Sequence, residues 1–411
     1  MSVEPYLIHV PQPTLDDLQA RLARTRWAAN TDADEWRYGP SPAFLHRLIE
    51  HWRLRFDWRG REAALNRFAH FRSDVDGVRI HFIHERGRGP NPLPIVLTHG
   101  FPDSFVRFER VIPMLTDPAA HAADQADAFD VVVPSLPGFG FSDPPPVAGF
   151  TFRIGDLWHR LMTDELGYES FAAHGGDWGS TVTEQLARSH ADAVVAIHLT
   201  DVPFWHLFQK PKDLSPNEQR FLERSEEWQR TDGAYAFIQG QRPDALAQAL
   251  ADSPAGLAAW IVDKFYAWSD CRGDLERCYT LDQLLTNVMI YWVSNTIGSS
   301  FRPYYDFTHA GVMRWMTEGV KAWVGSTKVP AAFAMFPKDI SHPPREWAQR
   351  FFNVQRWTTM PRGGHFAAME QPELLVDDIR AFFRPFRTEG RGRAMAGAGA
   401  SAPRASRSAR A

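Results

Sequence analysis

The stretch Ser170-Phe171-Ala172-Ala173-His174-Gly175-Gly176-Asp177-Trp178-Gly179 decides how this chain folds. A short apolar run meets two glycines, an acid, an indole and a third glycine. Gly-x-nucleophile-x-Gly between a strand and a helix makes a sharp turn that lifts the central side chain out of a sheet. In an open parallel sheet, ligands bind beyond the carboxyl ends of the strands. The central residue here is Asp177, not a serine. A serine that attacked a saturated carbon would form an ether, which offers water no carbonyl. A carboxylate forms an ester, and water can release it at the carbonyl of the aspartate itself. An acid at the turn therefore points to substitution at saturated carbon. The competing reading, a simple cap for the next helix, is weakened by the flanking glycines and the strand before them.

Working outward, apolar runs alternate with helical stretches. Val78–Ile83 alternates as a half-exposed strand does, and Pro94–Thr98 is a short buried run ending at His99-Gly100. Phe129–Pro134, Ala193–Leu199, Val329–Met335 and Gln355–Met360 read as further strands, with helices over Ile154–Leu166, from about Gly179, and from Pro372. This rhythm specifies an α/β fold with a mostly parallel, doubly wound sheet. Between residues 201 and 323 it gives way to helices rich in Trp, Phe and Tyr, the clearest over Gln248–Tyr266. The spacing predicts a helical lid over 201–323, inserted into a core of 73–200 and 324–386. Residues 1–72 read as a helical N-terminal extension. One helix starts at Thr14, and a second runs from Ser41 with Phe44, Leu48 and Trp52 on one face.

The chain has 411 residues, a net charge of −4, 15 Trp and 29 Phe. Residues 387–411 carry six Arg against one Glu among Gly, Ala, Ser and Pro, and read as a disordered basic tail. The rest is mildly acidic, which argues against nucleic acid as a partner. The only cysteines, Cys271 and Cys278, fit neither a zinc pattern nor a redox pair. No cofactor or metal is expected. With no signal-like start and no apolar run long enough for a membrane span, a cytoplasmic location is expected. A homodimer is carried as an open expectation.

An ester needs a base to direct water. His365, in Pro361-Arg-Gly-Gly-His365-Phe, follows the last strand run. The order nucleophile, acid, histidine places the acid one strand earlier, at Asp339 in Phe336-Pro-Lys-Asp339, with Asp306 as alternative. His99-Gly100-Phe101-Pro102 follows an early strand, where oxyanion donors belong. The backbone N–H groups of Phe101 and Trp178 are the candidates, and the Phe101–Pro102 bond is a candidate cis peptide. Phe204, Trp205, Phe208, Phe237 and Trp260 are candidate pocket aromatics, each with a core role as the alternative.

These residues together resemble the epoxide hydrolases of the α/β-hydrolase superfamily, in particular the microsomal and juvenile-hormone branch with a helical N-terminal extension. The likeness rests on Thr25-Arg-Trp, Phe56-Asp-Trp-Arg, His99-Gly-Phe-Pro, Gly175-Gly-Asp-Trp-Gly-Ser, Asp252-Ser-Pro-Ala-Gly-Leu and Gly363-Gly-His-Phe, and covers residues 4–386. It implies that an apolar epoxide and water are the reactants and a vicinal diol the product. It also implies that two lid tyrosines bind the epoxide oxygen and protonate the alkoxide. The first matches Tyr235; the second matches Tyr304, with Tyr305 beside it as alternative. With Phe101 and Trp178 they would form the substrate-binding set. The chain departs from the pattern at Phe101, where Trp is common, and at Asp339, where some members carry Glu. No counterpart of the membrane helix of some members is expected here. Two rivals share the fold: a haloalkane dehalogenase, and a receptor that has lost catalysis.

Overall fold

The computed structural model describes residues 3–29, 36–209, 211–309 and 326–387. The tail beyond residue 387 and the junction expected at 323–324 lie outside the described residues. Among the described residues nine strands form one sheet: β1 (Glu4–Pro5), β2 (His70–Val75), β3 (Val78–Glu85), β4 (Leu93–Thr98), β5 (Phe129–Pro134), β6 (Phe171–Gly175), β7 (Val194–Leu199), β8 (Pro330–Met335) and β9 (Asn353–Thr359). Their spatial order is β1-β2-β3-β5-β4-β6-β7-β8-β9. The pairs from β1 to β5 are antiparallel and those from β5 to β9 parallel. The strand order reverses at β4, with β5 on one side and β6 on the other, and β4, β5 and β6 are buried along their whole length.

Three expectations shift. The extension is not only helical, since β1 pairs with β2 and adds to the sheet. Its first helix runs Gln12–Ala23, starting ahead of Thr14, because Pro13 sits comfortably in a first turn. The helix read over Gln248–Tyr266 is two helices, Pro243–Asp252 and Pro254–Trp268, bent by 118°. Pro254 disfavours helical backbone at Ser253, and Ser253 caps the second helix through the Gly256 N–H. Among the described residues no single helix is long and apolar enough to cross a membrane. That bent pair passes only when joined, and Leu257, Ile261 and Phe265 on it are buried.

The extension packs on the lid helices. Trp36 stacks on Tyr266 at 3.9 Å, and Arg21 donates to the Asp252 carbonyl and carboxylate at the bend. His51 pairs with Asp282, and Arg61 bridges Thr286 and Glu109. Leu48, Ile49 and Trp52 are buried.

Candidate active site

Asp177 stands between β6 and the helix Trp178–Ser189 with φ 57° and ψ −130°. A side chain in this region costs about 1–3 kcal/mol, so the turn's strain sits on the acid itself. Gly175 and Gly179 serve close approach instead. A Cβ on Gly175 would lie 2.2 Å from the Gly179 carbonyl oxygen, and one on Gly179 would lie 2.1 Å from that of Thr98. The Asp177 side chain makes no capping bond to its helix, which removes the capping reading.

His365 follows β9 and Asp339 follows β8, so parallel strands bring both to the edge that carries Asp177. Asp339 Oδ1 lies 2.7 Å from His365 Nδ1, and Asp177 Oδ2 lies 3.3 Å from His365 Nε2. The imidazole is 1% exposed. Burial alone would lower its pKa. The Asp339 charge, joined by Asp177, outweighs burial and lifts it to about 10. Asp306 lies elsewhere: its carboxylate accepts from the Thr151 N–H and hydroxyl.

Phe101 N–H donates to Asp177 Oδ1 at 2.9 Å, and the Phe101–Pro102 bond is cis. Asn287 holds the Pro102 carbonyl at 2.7 Å. Gly100 passes so close beneath Asp177 that a Cβ would sit 2.3 Å from Oδ1. Trp178, the other candidate donor, is buried and opens the helix.

The lid supplies Tyr235 and Tyr304, both nearly buried, with ring centroids 5.8 Å apart. Both contact Phe101, and Tyr304 also meets Trp178 edge-on at 5.2 Å. Burial first, then the Asp177 charge for Tyr235 and Tyr235 with Asp177 for Tyr304, raises both phenol pKa values. Tyr305 is half-buried and stacks on His309. Of the other aromatics, Phe204 and Phe208 pack with Phe307, and Phe204 reaches Trp178. Trp205 is a buried anchor donating to Glu184, Phe237 is exposed, and Trp260 lies beside Lys264. A small void beside Trp178 is lined by Phe152, Thr181, Gln185, Phe204, Trp205 and Phe307. A wider groove lies at the opposite ends of the strands, along Leu93, Val194 and Pro330, away from Asp177.

Sequence reasoning passed over four residues. Asp103 accepts from Gly100 N–H and is paired with Arg107 at 2.6 Å; Arg107 also donates to the His365 carbonyl. Burial would raise the Asp103 pKa, but Arg107 and His99 outweigh it and hold it at about 2. An acid and an arginine four apart in an apolar run were the available signal. Asp201, just past β7, accepts the Asp177 N–H at 3.1 Å, and burial with the nearby Asp339 raises its pKa. Its place at a strand end was the signal. Glu370 had none. Among the described residues no group of three His, Cys, Asp or Glu side chains is arranged to hold a metal.

The chain matches two known families: Epoxide hydrolase N terminus over residues 3–108, and alpha/beta hydrolase fold over residues 94–258. It is 35% identical to epoxide hydrolase 1 of Sus scrofa, over 93% of this chain and 88% of that one. The solved epoxide hydrolase of Aspergillus niger superposes with a TM-score of 0.79 at 30% identity, covering 94% of this chain and 97% of that one. The juvenile hormone epoxide hydrolase of Bombyx mori gives 0.81 at 25% identity, covering 94% and 96%. The chain thus belongs to the epoxide hydrolases, enzymes of the α/β-hydrolase fold.

Proposed function

We propose that the chain converts an apolar epoxide to a vicinal diol through an ester on Asp177. Oδ1 is engaged by Phe101 N–H, which leaves Oδ2 to attack carbon. As the Oδ2–C bond forms and the epoxide C–O bond breaks, Tyr235 and Tyr304 bind the oxygen and one phenol protonates it. A phenol held well above its ordinary pKa stays protonated until alkoxide appears, which suits a donor.

Esterification removes the Asp177 charge, one of the groups holding the proton on His365. The imidazolium sheds that proton, which restores the phenol. Neutral His365, oriented by Asp339, takes a proton from water as the hydroxide adds to the Asp177 carbonyl carbon. Phe101 and Trp178 N–H groups steady the oxyanion. Collapse expels the diol oxygen, which takes the proton back. The carboxylic acid left on Asp177 then reprotonates His365, and the cycle closes.

The observation that carries this reading is the carboxylate held between Phe101 N–H and His365 Nε2, with Asp339 behind the imidazole. Single turnover in ¹⁸O-water tests it: the label should enter Asp177 and reach diol only in later cycles. Diol labelled in the first turnover would exclude the ester. Bromide release from a bromoalkane, without diol from epoxides, would favour the dehalogenase reading.

Residues 201–323 act as the lid in this proposal and 1–72 as its support. A cytoplasmic, homodimeric protein belongs to the same proposal. The free thiols of Cys271 and Cys278 support the reducing location, and light scattering tests the dimer.

A further inference from the structure

Glu370 ends the short helix Ala367–Glu370 and takes no part in the chemistry above. Its carboxylate is nevertheless almost buried and fully engaged. Oε2 accepts from Gly364 N–H at 3.0 Å and from Asp270 N–H at 2.8 Å; Oε1 accepts from Phe366 N–H at 3.1 Å. Gly364 and Phe366 are the residues on either side of His365. The third donor, Asp270, belongs to the lid segment whose Trp268 carbonyl receives the His365 N–H at 2.8 Å. The His365 carbonyl is held from the other side by Arg107. Burial pushes the Glu370 acid up to about 7, and the three N–H donors work against that rise; bonds to the charged carboxylate are stronger and more directional than bonds to a neutral acceptor.

We infer that Glu370 is a positioning residue for ester hydrolysis, fixing the His365 imidazole by clamping the backbone on both sides of it to the lid. The inference rests on the reading of His365 as the base. Glu370 makes no hydrogen bond to Phe101, Tyr235 or Tyr304 among the described residues, and its one link to them is indirect, through the Trp268 ring 5.2 Å from Tyr235. Its loss should therefore weigh far more on ester hydrolysis than on ring opening. Glu370→Gln keeps the volume but only one acceptor oxygen. It can serve Phe366, or Gly364 with Asp270, but not both. A shift of about 1 Å in a catalytic group can cost roughly 10²-fold in rate.

The test follows formation and decay of the ester by rapid quench and intact-protein mass spectrometry, with styrene oxide as probe. Glu370→Gln should form ester within about 3-fold of the natural rate and lose it roughly 10- to 10²-fold more slowly. Glu370→Asp keeps both oxygens and should fall between. It carries the same comparison if the glutamine variant does not fold. Unchanged ester decay, or equal slowing of both steps, would overturn the inference. His365→Gln is run in parallel. If it traps ester while the Glu370 variants turn over normally, only the clamp is wrong. If it too leaves decay untouched, the role of His365 is wrong.

Discussion

Asp177 and Asp339 lie on opposite nitrogens of one imidazole, 3.3 Å from His365 Nε2 and 2.7 Å from Nδ1. Two carboxylates flank a buried ring, and in the proposed cycle one of them is esterified and then released. The charge of His365 is thereby tied to the covalent state of Asp177.

That tie is measurable. In the natural chain the His365 ring should titrate near 10, and Asp177→Asn, a neutral mimic of the ester, should bring it down. Nitrogen-15 NMR of labelled histidine reads both. The folded pKa is raised above the ordinary value, so the charged ring contributes stability fully below about pH 6.5 and loses it as pH rises through about 10. Melting temperature against pH should show that alkaline loss, and less of it in Asp177→Asn. An identical His365 titration in both proteins would refute the coupling.

His365→Gln should lower steady-state turnover by roughly 10²–10⁴-fold, with ester formation retained. Intact mass should then show a substrate-sized adduct. A variant slow in turnover that carries no adduct under saturating epoxide would contradict the assigned order of steps.

Tyr235→Phe and Tyr304→Phe should each slow ester formation by about 10²-fold or more, and the double variant further. Tyr305→Phe should stay close to the natural rate, since its ring stacks on His309. Stopped-flow fluorescence can follow the step through Trp178. Loss on Tyr305→Phe with little effect of Tyr304→Phe would exchange the two roles.

Two glycines should fail in different ways. Gly100→Ala drives a methyl into the Asp177 carboxylate and against its Cβ, so activity should vanish, with a smaller loss of stability than at Gly179 because part of the contact is side chain. Gly179→Ala meets the Thr98 backbone, which cannot yield, and overpacking of this kind costs about 1–3 kcal/mol or more. Calorimetry alongside diol assays separates the two. Equal loss of stability in both would mean that Gly100 serves packing as well.

Much of the core was readable because short apolar runs and glycine-rich strand ends are local signals. The parallel strands then bring Asp177, Asp339 and His365 to one edge, and their order along the chain is what pointed to Asp339 among several acids. The break at Ser253 was hidden because apolar periodicity continues through it; a single proline outweighed the pattern. Tyr235 and Tyr304 carried no local mark, since what distinguishes them is the lid's approach to Phe101. Glu370 was invisible for a related reason. Its partners are backbone N–H groups, and any residue but proline supplies one.

The extension grips the lid at Trp36 on Tyr266, Arg21 on Asp252 and His51 on Asp282. Hardly any of the sheet lies in that seam, so its local melting can run ahead of global unfolding. The upper temperature for turnover would then be set by a piece of chain that holds none of the reacting groups. On warming, substrate enclosure would fail while the catalytic edge of the sheet was still intact. Heat-tolerant descendants of this chain would be sought among changes in its first seventy or so residues.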